Sequence, residues 1–145
     1  MSSPNKAIIG RVELVALPAF GLEELEAKVD TGADSSALHC TNIALHEDHS
    51  VSFHVLDVNH PSYVSKPFRF PIYALKKVKS SNGISKKRAF IKTEISIHSH
   101  IYPIVLSLTD RSDMSKPMLL GRKFLEGLFL VDVALKHTFK QRKQP

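Results

Sequence analysis

The sequence predicts an all-β domain, a barrel or a sandwich of short strands, and three observations carry that reading. Runs of alternating apolar and polar residues recur along the chain at strand length. Pro, Gly and Asn punctuate those runs at close intervals. One segment alone has a helical character, Arg122–Gly127 after Gly121, and it amounts to one or two turns. With 145 residues, 43% hydrophobic and 23% charged, the chain has the composition of one ordinary globular domain over residues 1–145 with a real core.

Taken in order, Gly10–Leu17 alternates with Val12 and Leu14 on one face and stops at Pro18. Residues 20–24 read as a turn, and Leu25–Val29 as a strand that delivers the chain into Asp30-Thr31-Gly32. Ser36–Cys40 fits a short strand or a helical turn. Val51–Val58 is a strand by its Val51, Phe53, Val55 set, closed by Pro61. Phe68–Ile72 is short and broken by Pro71. Leu75–Lys79 and Lys86–Ile97 flank Ser80-Ser81-Asn82-Gly83, and Asn-Gly between extended runs is the strongest local hairpin signal. His100–Leu108, Met118–Leu120 and Phe129–Val133 supply further strands. Residues 1–6 and 139–145 read as loose ends.

The net charge of +6 is concentrated. Residues 76–88 hold Lys76, Lys77, Lys79, Lys86, Lys87 and Arg88 with no acid, and residues 136–145 hold Lys136, Lys140, Arg142 and Lys143 with none. Half of the 20 basic residues fall there, which points to an acidic partner at those places or to a solvated hairpin and a frayed tail. Nucleic acid fits less well, because aromatics are not interleaved with the basic run as a stacking platform requires. No apolar run approaches the roughly 20 residues that span a bilayer. The first residues lack the apolar segment of a secretory signal, and the lone Cys40 precludes an internal disulfide, so the expectation is a cytoplasmic protein off the membrane.

The chemistry sits in Val29-Asp30-Thr31-Gly32-Ala33-Asp34-Ser35-Ser36-Ala37-Leu38. An apolar approach brings a carboxylate into a turn that Gly32 permits, and small or hydroxyl residues leave room around it. Aspartic proteases use two such carboxylates, sharing one proton, to activate a water. The motif occurs once, so a working enzyme on this reading is a homodimer with Asp30 and its mate at the two-fold axis. The bland alternative is an Asp in a turn.

Other catalytic chemistry finds no pattern. There is no His-Glu-x-x-His, and His39 beside Cys40, His46 with His49, and His98 with His100 are the nearest approaches to ligand spacing. Neighbours on a strand point to opposite faces, which argues against a Cys40–His39 nucleophile pair. No Gly-x-x-x-x-Gly-Lys-Ser/Thr loop occurs for ATP. The expectation is neither metal nor cofactor.

Asp30-Thr31-Gly32-Ala33-Asp34, an Asn-Gly hairpin entering Phe90-Ile91-Lys92, and Met118-Leu119-Leu120-Gly121-Arg122 follow the retropepsin order of active-site loop, flap and apolar-apolar-Gly-Arg motif. More closely, the chain resembles the bacterial retropepsin-like aspartic protease family that carries the label ATP-dependent zinc protease and is associated with ATP-grasp glutamate ligases of the ribosomal-protein-modification type. Ile9–Cys40, Ile91–Leu108 and Thr109–Val133 carry the match, and the stretch from Thr41 to Ser80 matches weakly. Asp34 departs from the basic residue more frequent at that place.

The resemblance implies a closed β-barrel of the acid-protease fold, with one short helix after Leu-Leu-Gly-Arg. It implies an aspartic-type endopeptidase in which Asp30, Thr31 and Gly32 are catalytic, Thr31 bonding across the dimer axis and Gly32 offering its carbonyl to substrate. Ala33, Asp34, Asn82 and Gly83 would contact an extended peptide, the last two as the flap tip. Gly121 and Arg122 would support the loop, with Arg122 paired to Asp34. The basic flanks of the flap suggest acidic, glutamate-rich peptides. Terminal strands partly hold such dimers, and Ala134–Phe139 is the best candidate here. The alternative is a catalytically silent peptide- or partner-binding module working with a glutamate ligase.

Overall fold

A computed structural model describes residues 6–79, 83–111 and 114–138. The described residues form β1 (Ala7–Ile9), β2 (Val12–Leu17), a 3-10 turn (Pro18–Phe20), β3 (Leu22–Val29), β4 (Ser36–Leu45), β5 (Ser50–Val55), β6 (Phe68–Pro71), β7 (Ala74–Lys79), β8 (Ser85–Ile97), β9 (His100–Thr109), β10 (Met118–Leu120), α1 (Arg122–Leu125) and β11 (Phe129–Val131).

Six of these strands close a barrel in the order β10-β3-β2-β8-β9-β4, with β4 returning to β10. The closing strand is only three residues long. It runs parallel to β3, pairing Leu119 with Lys28, and antiparallel to β4, pairing Leu119 with Ala37. Closure removes the free edges that an open sheet would expose. Three additions hang on the barrel: β5 and β6 extend from β4, β7 pairs with β8, and β1 pairs in parallel with β11. No described helix is long and apolar enough to cross a membrane.

The barrel interior is filled by Leu17, Leu25, Leu38, Ile91, Ile95, Leu106, Met118 and Leu120, all fully buried. Each such side chain contributes about 1.5–3 kcal/mol through removal from water. Under the β5–β6 wing, Phe20, Phe53, Phe68 and Phe70 form an aromatic cluster; the Phe20–Phe68 pair has ring centroids 4.9 Å apart in an edge-on arrangement. Val51, Phe53 and Val55 face inward together, as their alternation predicts.

The structure corrects several boundaries. On β2 the buried face is Glu13, Val15 and Leu17, not Val12 and Leu14. Glu13 is accommodated because its carboxylate accepts bonds from the Gly10 N–H (2.7 Å), the Thr138 N–H (3.0 Å) and the Thr138 hydroxyl (2.7 Å). β3 begins at Leu22, because Gly21 takes a left-handed φ of 70° and reverses the chain directly after the 3-10 turn. β4 runs on to Leu45 through a register shift between Thr41 and Ala44, where Asn42 is left-handed. β1 went unrecognised in residues 7–9, which had no assignment between the loose end and the strand from Gly10, and the helix is four residues rather than six.

Ala134–Thr138 is not a free terminal strand. The Asp132 N–H donates to Ile9 O, the Arg11 N–H to Leu135 O and the His137 N–H to Val12 O, so this segment is bound along the start of its own barrel. Gly10 permits that approach, since a Cβ there would lie 2.3 Å from Leu135 O. Phe139 lies outside the described residues.

Candidate active site

β3 ends at buried Val29, and the chain turns through Asp30 to Asp34 before entering β4. The Asp30 N–H donates to Leu120 O (2.9 Å), tying the loop to the closing strand, and the Ala33 N–H returns to Asp30 O (3.1 Å). The Gly32 N–H donates to Asp30 Oδ1 at 3.0 Å and fixes the carboxyl group. Gly32 is not one of the left-handed glycines. Its value is space: a Cβ would stand 3.3 Å from Asp30 Oδ1. Thr31, Gly32 and Asp34 are exposed, Asp30 and Ala33 half-buried.

Gly121 and α1 brace the loop through backbone. The Arg122 N–H donates to Ala33 O (2.8 Å) and the Lys123 N–H to Asp34 O (3.1 Å), while the Gly121 N–H donates to the Ser36 hydroxyl (3.0 Å). The unpaired donors of a helix start are thus consumed by loop carbonyls. Gly121 is demanded by contact, because a Cβ would lie 2.5 Å from Ser35 O and 2.9 Å from Ala33 O. The Arg122 guanidinium adds a bond from Nη1 to Thr31 O (3.2 Å) and sits 3.5 Å from Asp34 Oδ1, with Lys123 Nζ 3.4 Å from Asp34 Oδ2. These ion pairs are exposed and weak; the backbone bonds do the holding. The structure therefore brings together Asp30, Thr31, Gly32, Ala33, Asp34, Gly121 and Arg122. Gly83 is described, exposed and left-handed at φ 85°, beyond β7 and before β8. Asn82 lies outside the described residues.

Strand register defines the surface beside this loop. Phe90, Ser107, Ala37, Leu119 and Lys28 form one row across β8, β9, β4, β10 and β3. Alternation puts Arg88 and Lys92 on the same side as Phe90. Asp30, two positions after Lys28 with buried Val29 between, leaves β3 on that side too. Two recesses open there. One, of about 370 Å³, has Lys76, Lys92 and Lys123 around Phe90, Phe124 and Ser35, with Lys76 Nζ 4.9 Å above the Phe90 ring. The other, of about 240 Å³, has Lys28, Arg88, Arg111 and Lys116 around Ala37 and Leu119. No carboxylate lines either recess among the described residues.

The hairpin beside them places like charges opposite one another, Lys76 against Arg88 and Lys77 against Lys87. Such pairs destabilise a ladder by up to about 1 kcal/mol each, a cost that an anion bound across them would offset. Of the recess cations, Lys28 had a signal in sequence, its i−2 alternation from Asp30; Lys92, Arg111, Lys116 and Lys123 had none.

The histidines and the cysteine are otherwise engaged. His39, buried, accepts the Arg111 N–H at Nδ1 (3.0 Å) and so presents Nε2–H to Asp57 at 2.8 Å. That bond is the main cause holding the Asp57 carboxyl below the usual range. His46 Nε2 is 2.8 Å from the Ser52 hydroxyl, and His98 Nε2 is 2.8 Å from the Thr138 hydroxyl. Burial pushes the Cys40 thiol far above its ordinary value, which leaves it unreactive.

Comparison with known proteins gives a consistent picture. A family model described as RimB-like, retropepsin-like aspartic endopeptidase RimB, matches residues 8–142. A probable alpha-L-glutamate ligase of Shewanella halifaxensis is 35% identical over 133 residues, 90% of this chain and 29% of that protein. One from Parasynechococcus marenigrum is 33% identical over 143 residues, 97% of this chain and 31% of that protein. The chain thus spans about three tenths of the length of these curated relatives. Among solved structures, a Legionella pneumophila protein of unknown function superposes with a TM-score of 0.73 at 30% identity, covering 93% of this chain and 99% of that one.

Proposed function

The chain belongs to the RimB-like family of retropepsin-like aspartic endopeptidases, and from that membership we propose that it binds an extended, acidic, glutamate-rich peptide along the Asp30 face and hydrolyses it when two copies pair. In the pair, the two Asp30 carboxyl groups share a proton and hold a water between them. One carboxylate takes a proton from that water as it attacks the peptide carbonyl, and the other carboxyl group donates its proton toward the carbonyl oxygen. Thr31 bonds to its mate across the axis, Gly32 offers its carbonyl to the substrate backbone, and Ala33 and Asp34 receive the next residues. The hairpin tipped by Asn82 and Gly83 closes over the chain and excludes water.

The observation that carries this reading is the Asp30 loop itself. Its carboxyl group is fixed by the Gly32 N–H, its backbone is anchored on Leu120 and α1, and Thr31 and Gly32 are exposed on its crest. A second copy meeting that crest completes the site, and the cations clustered beside it favour an acidic substrate.

A second reading has its own support. The curated relatives are named probable alpha-L-glutamate ligases, and the matching region is a minor part of their chains. On that basis the barrel is a holding module, keeping a glutamate-rich product or partner near a cytoplasmic ligase without cutting it. Incubation with poly-α-glutamate peptides separates the two. The peptidase reading expects fragments from the wild-type chain and none from Asp30→Asn, with peptide binding retained. Intact peptide from both proteins, with binding, transfers the assignment to the holding module.

A further inference from the structure

We propose that the β7–β8 ribbon docks in the major groove of duplex DNA, the lysines on its two faces meeting the phosphates of the two groove walls. This interaction lies beyond the peptidase reading and does not depend on Asp30.

The ribbon stands apart from the barrel. β8 pairs with β9 from Phe90 onward and with β2 at Ser96. Residues 85–89 pair with β7 and, among the described residues, with no other strand. The chain beyond Phe90 is thus a two-stranded antiparallel ladder, running from Leu75 opposite Ala89 to Lys79 opposite Ser85.

Its charge is two-sided. Alternation puts Lys86 and Arg88 on the Asp30 side with Phe90, and Lys76 joins them there across the ladder. Lys77 and Lys87 oppose one another on the reverse side, the one on which Ala89 and Ile91 enter the core. Lys76, Lys77, Lys86 and Lys87 are exposed, and no ion pair among the described residues involves any of them. An acidic peptide along the Asp30 face accounts for Lys76 and Arg88, which line the two recesses, whereas Lys77, Lys86 and Lys87 line neither. Lys77 and Lys87, with Cβ atoms about 5 Å apart, repel one another unless an anion lies across them.

That distribution selects the partner. A bilayer is flat and neutralises one face of a ribbon. A single strand wants aromatic side chains on which to stack its bases, and residues 75–79 and 85–89 include none. A duplex groove has a phosphate wall on either side. The major groove of B-form DNA is about 12 Å wide and admits a two-stranded ribbon, while that of A-form RNA is deep and narrow. Lysine, a point charge on a flexible stem, suits phosphate contact without base reading.

The test titrates the full chain against a short fluorescent DNA duplex at several salt concentrations and follows anisotropy. Four lysines on phosphates predict an affinity loss on the order of 100-fold between about 50 and about 200 mM salt. Lys77→Gln/Lys87→Gln should flatten that loss to about 10-fold. By removing a like-charge pair, it should also unfold no earlier than wild type. Lys66→Gln/Lys136→Gln removes the same charge from exposed positions elsewhere and should keep the wild-type salt slope. Asp30→Asn should bind the duplex as wild type does, whether or not the protein cuts peptides. Equal slopes in the two lysine variants would reduce the binding to net charge and overturn the ribbon. The assignment to DNA is overturned by equal or tighter binding of an RNA duplex, a single strand or phosphatidylglycerol vesicles, and by an absence of binding at the lowest salt.

Discussion

Replacing Gly121 by alanine probes the join between the active-site loop and the rest of the barrel. The new methyl carbon would stand 2.5 Å from Ser35 O and 2.9 Å from Ala33 O, both backbone atoms. Neither can rotate away, so the loop or α1 must shift by most of an ångström to restore ordinary contact. Overpacking of this kind costs about 1–3 kcal/mol, and for a chain of this size that lowers Tm by roughly 3–10 °C. The shift falls on the bonds that define the loop, Arg122 N–H to Ala33 O and Lys123 N–H to Asp34 O. A misplacement near 1 Å at a reacting group costs on the order of 100-fold in rate. Thermal unfolding and peptide cleavage should therefore both respond, with activity falling further than stability explains at a temperature where the variant is folded. Gly127→Ala is the control. It has open space around a Cβ but a left-handed φ of 83°, so it loses about 1 kcal/mol to backbone strain and leaves the loop alone. A folded Gly121→Ala protein with wild-type activity would refute the bracing argument.

Two further perturbations bear on the frame. Glu13→Gln turns one acceptor oxygen toward the Thr138 N–H into a donor, and should cost about 2 kcal/mol from the loss of one charge-assisted bond. Chemical denaturation reads it, and an unchanged midpoint would mean that Glu13 does not anchor the 132–138 segment. Glu26 is held below its ordinary value chiefly by Lys116, Asp48 chiefly by the Ser50 hydroxyl and Asp57 chiefly by His39. Depressed carboxyl groups bind protons more weakly folded than unfolded. Their stabilisation is present above the unfolded values near 4 and is lost as pH falls through the folded ones. Denaturant midpoints should therefore drop between pH 5 and pH 3, and the Glu26→Gln/Asp57→Asn variant should show a shallower drop; an identical pH profile in that variant contradicts the assignment.

What the sequence conveyed divides along a physical line. Asp30 to Asp34 and Leu119 to Arg122 are contiguous motifs and so could be picked out by eye, whereas the backbone bonds that tie one to the other, Asp30 N–H to Leu120 O and Arg122 N–H to Ala33 O, span about 90 residues and come from the fold. The strand over Val51, Phe53 and Val55 was plain because its inner face is uniformly apolar. β2 misled because its inner face includes Glu13, which is tolerable inside only through donors from Gly10 and from Thr138, 125 residues away. β1 and the full length of β4 were hidden for a related reason: a three-residue strand has no period to detect, and Asn42 interrupts the alternation of β4 with a left-handed turn. Gly32 was read as a turn glycine and does lie in the turn, without a left-handed φ, and a Cβ there would press to 3.3 Å from Asp30 Oδ1. The basic recess was legible only in pieces, Arg88 in the basic run and Lys28 two positions before Asp30, because register alone brings β3, β8 and the loop after β9 together.

The pairing of two Asp30 loops is tested most directly by diluting wild-type chains with Asp30→Asn chains. The two proteins are unfolded and refolded together so that partners exchange, with the wild-type amount held constant. If one carboxyl group from each of two copies makes the site, an equal amount of the variant should cut peptide hydrolysis to about half, and larger excesses should suppress it toward zero. Hydrolysis that stays constant at every ratio would show that each chain acts alone, and the shared-carboxylate account would be wrong.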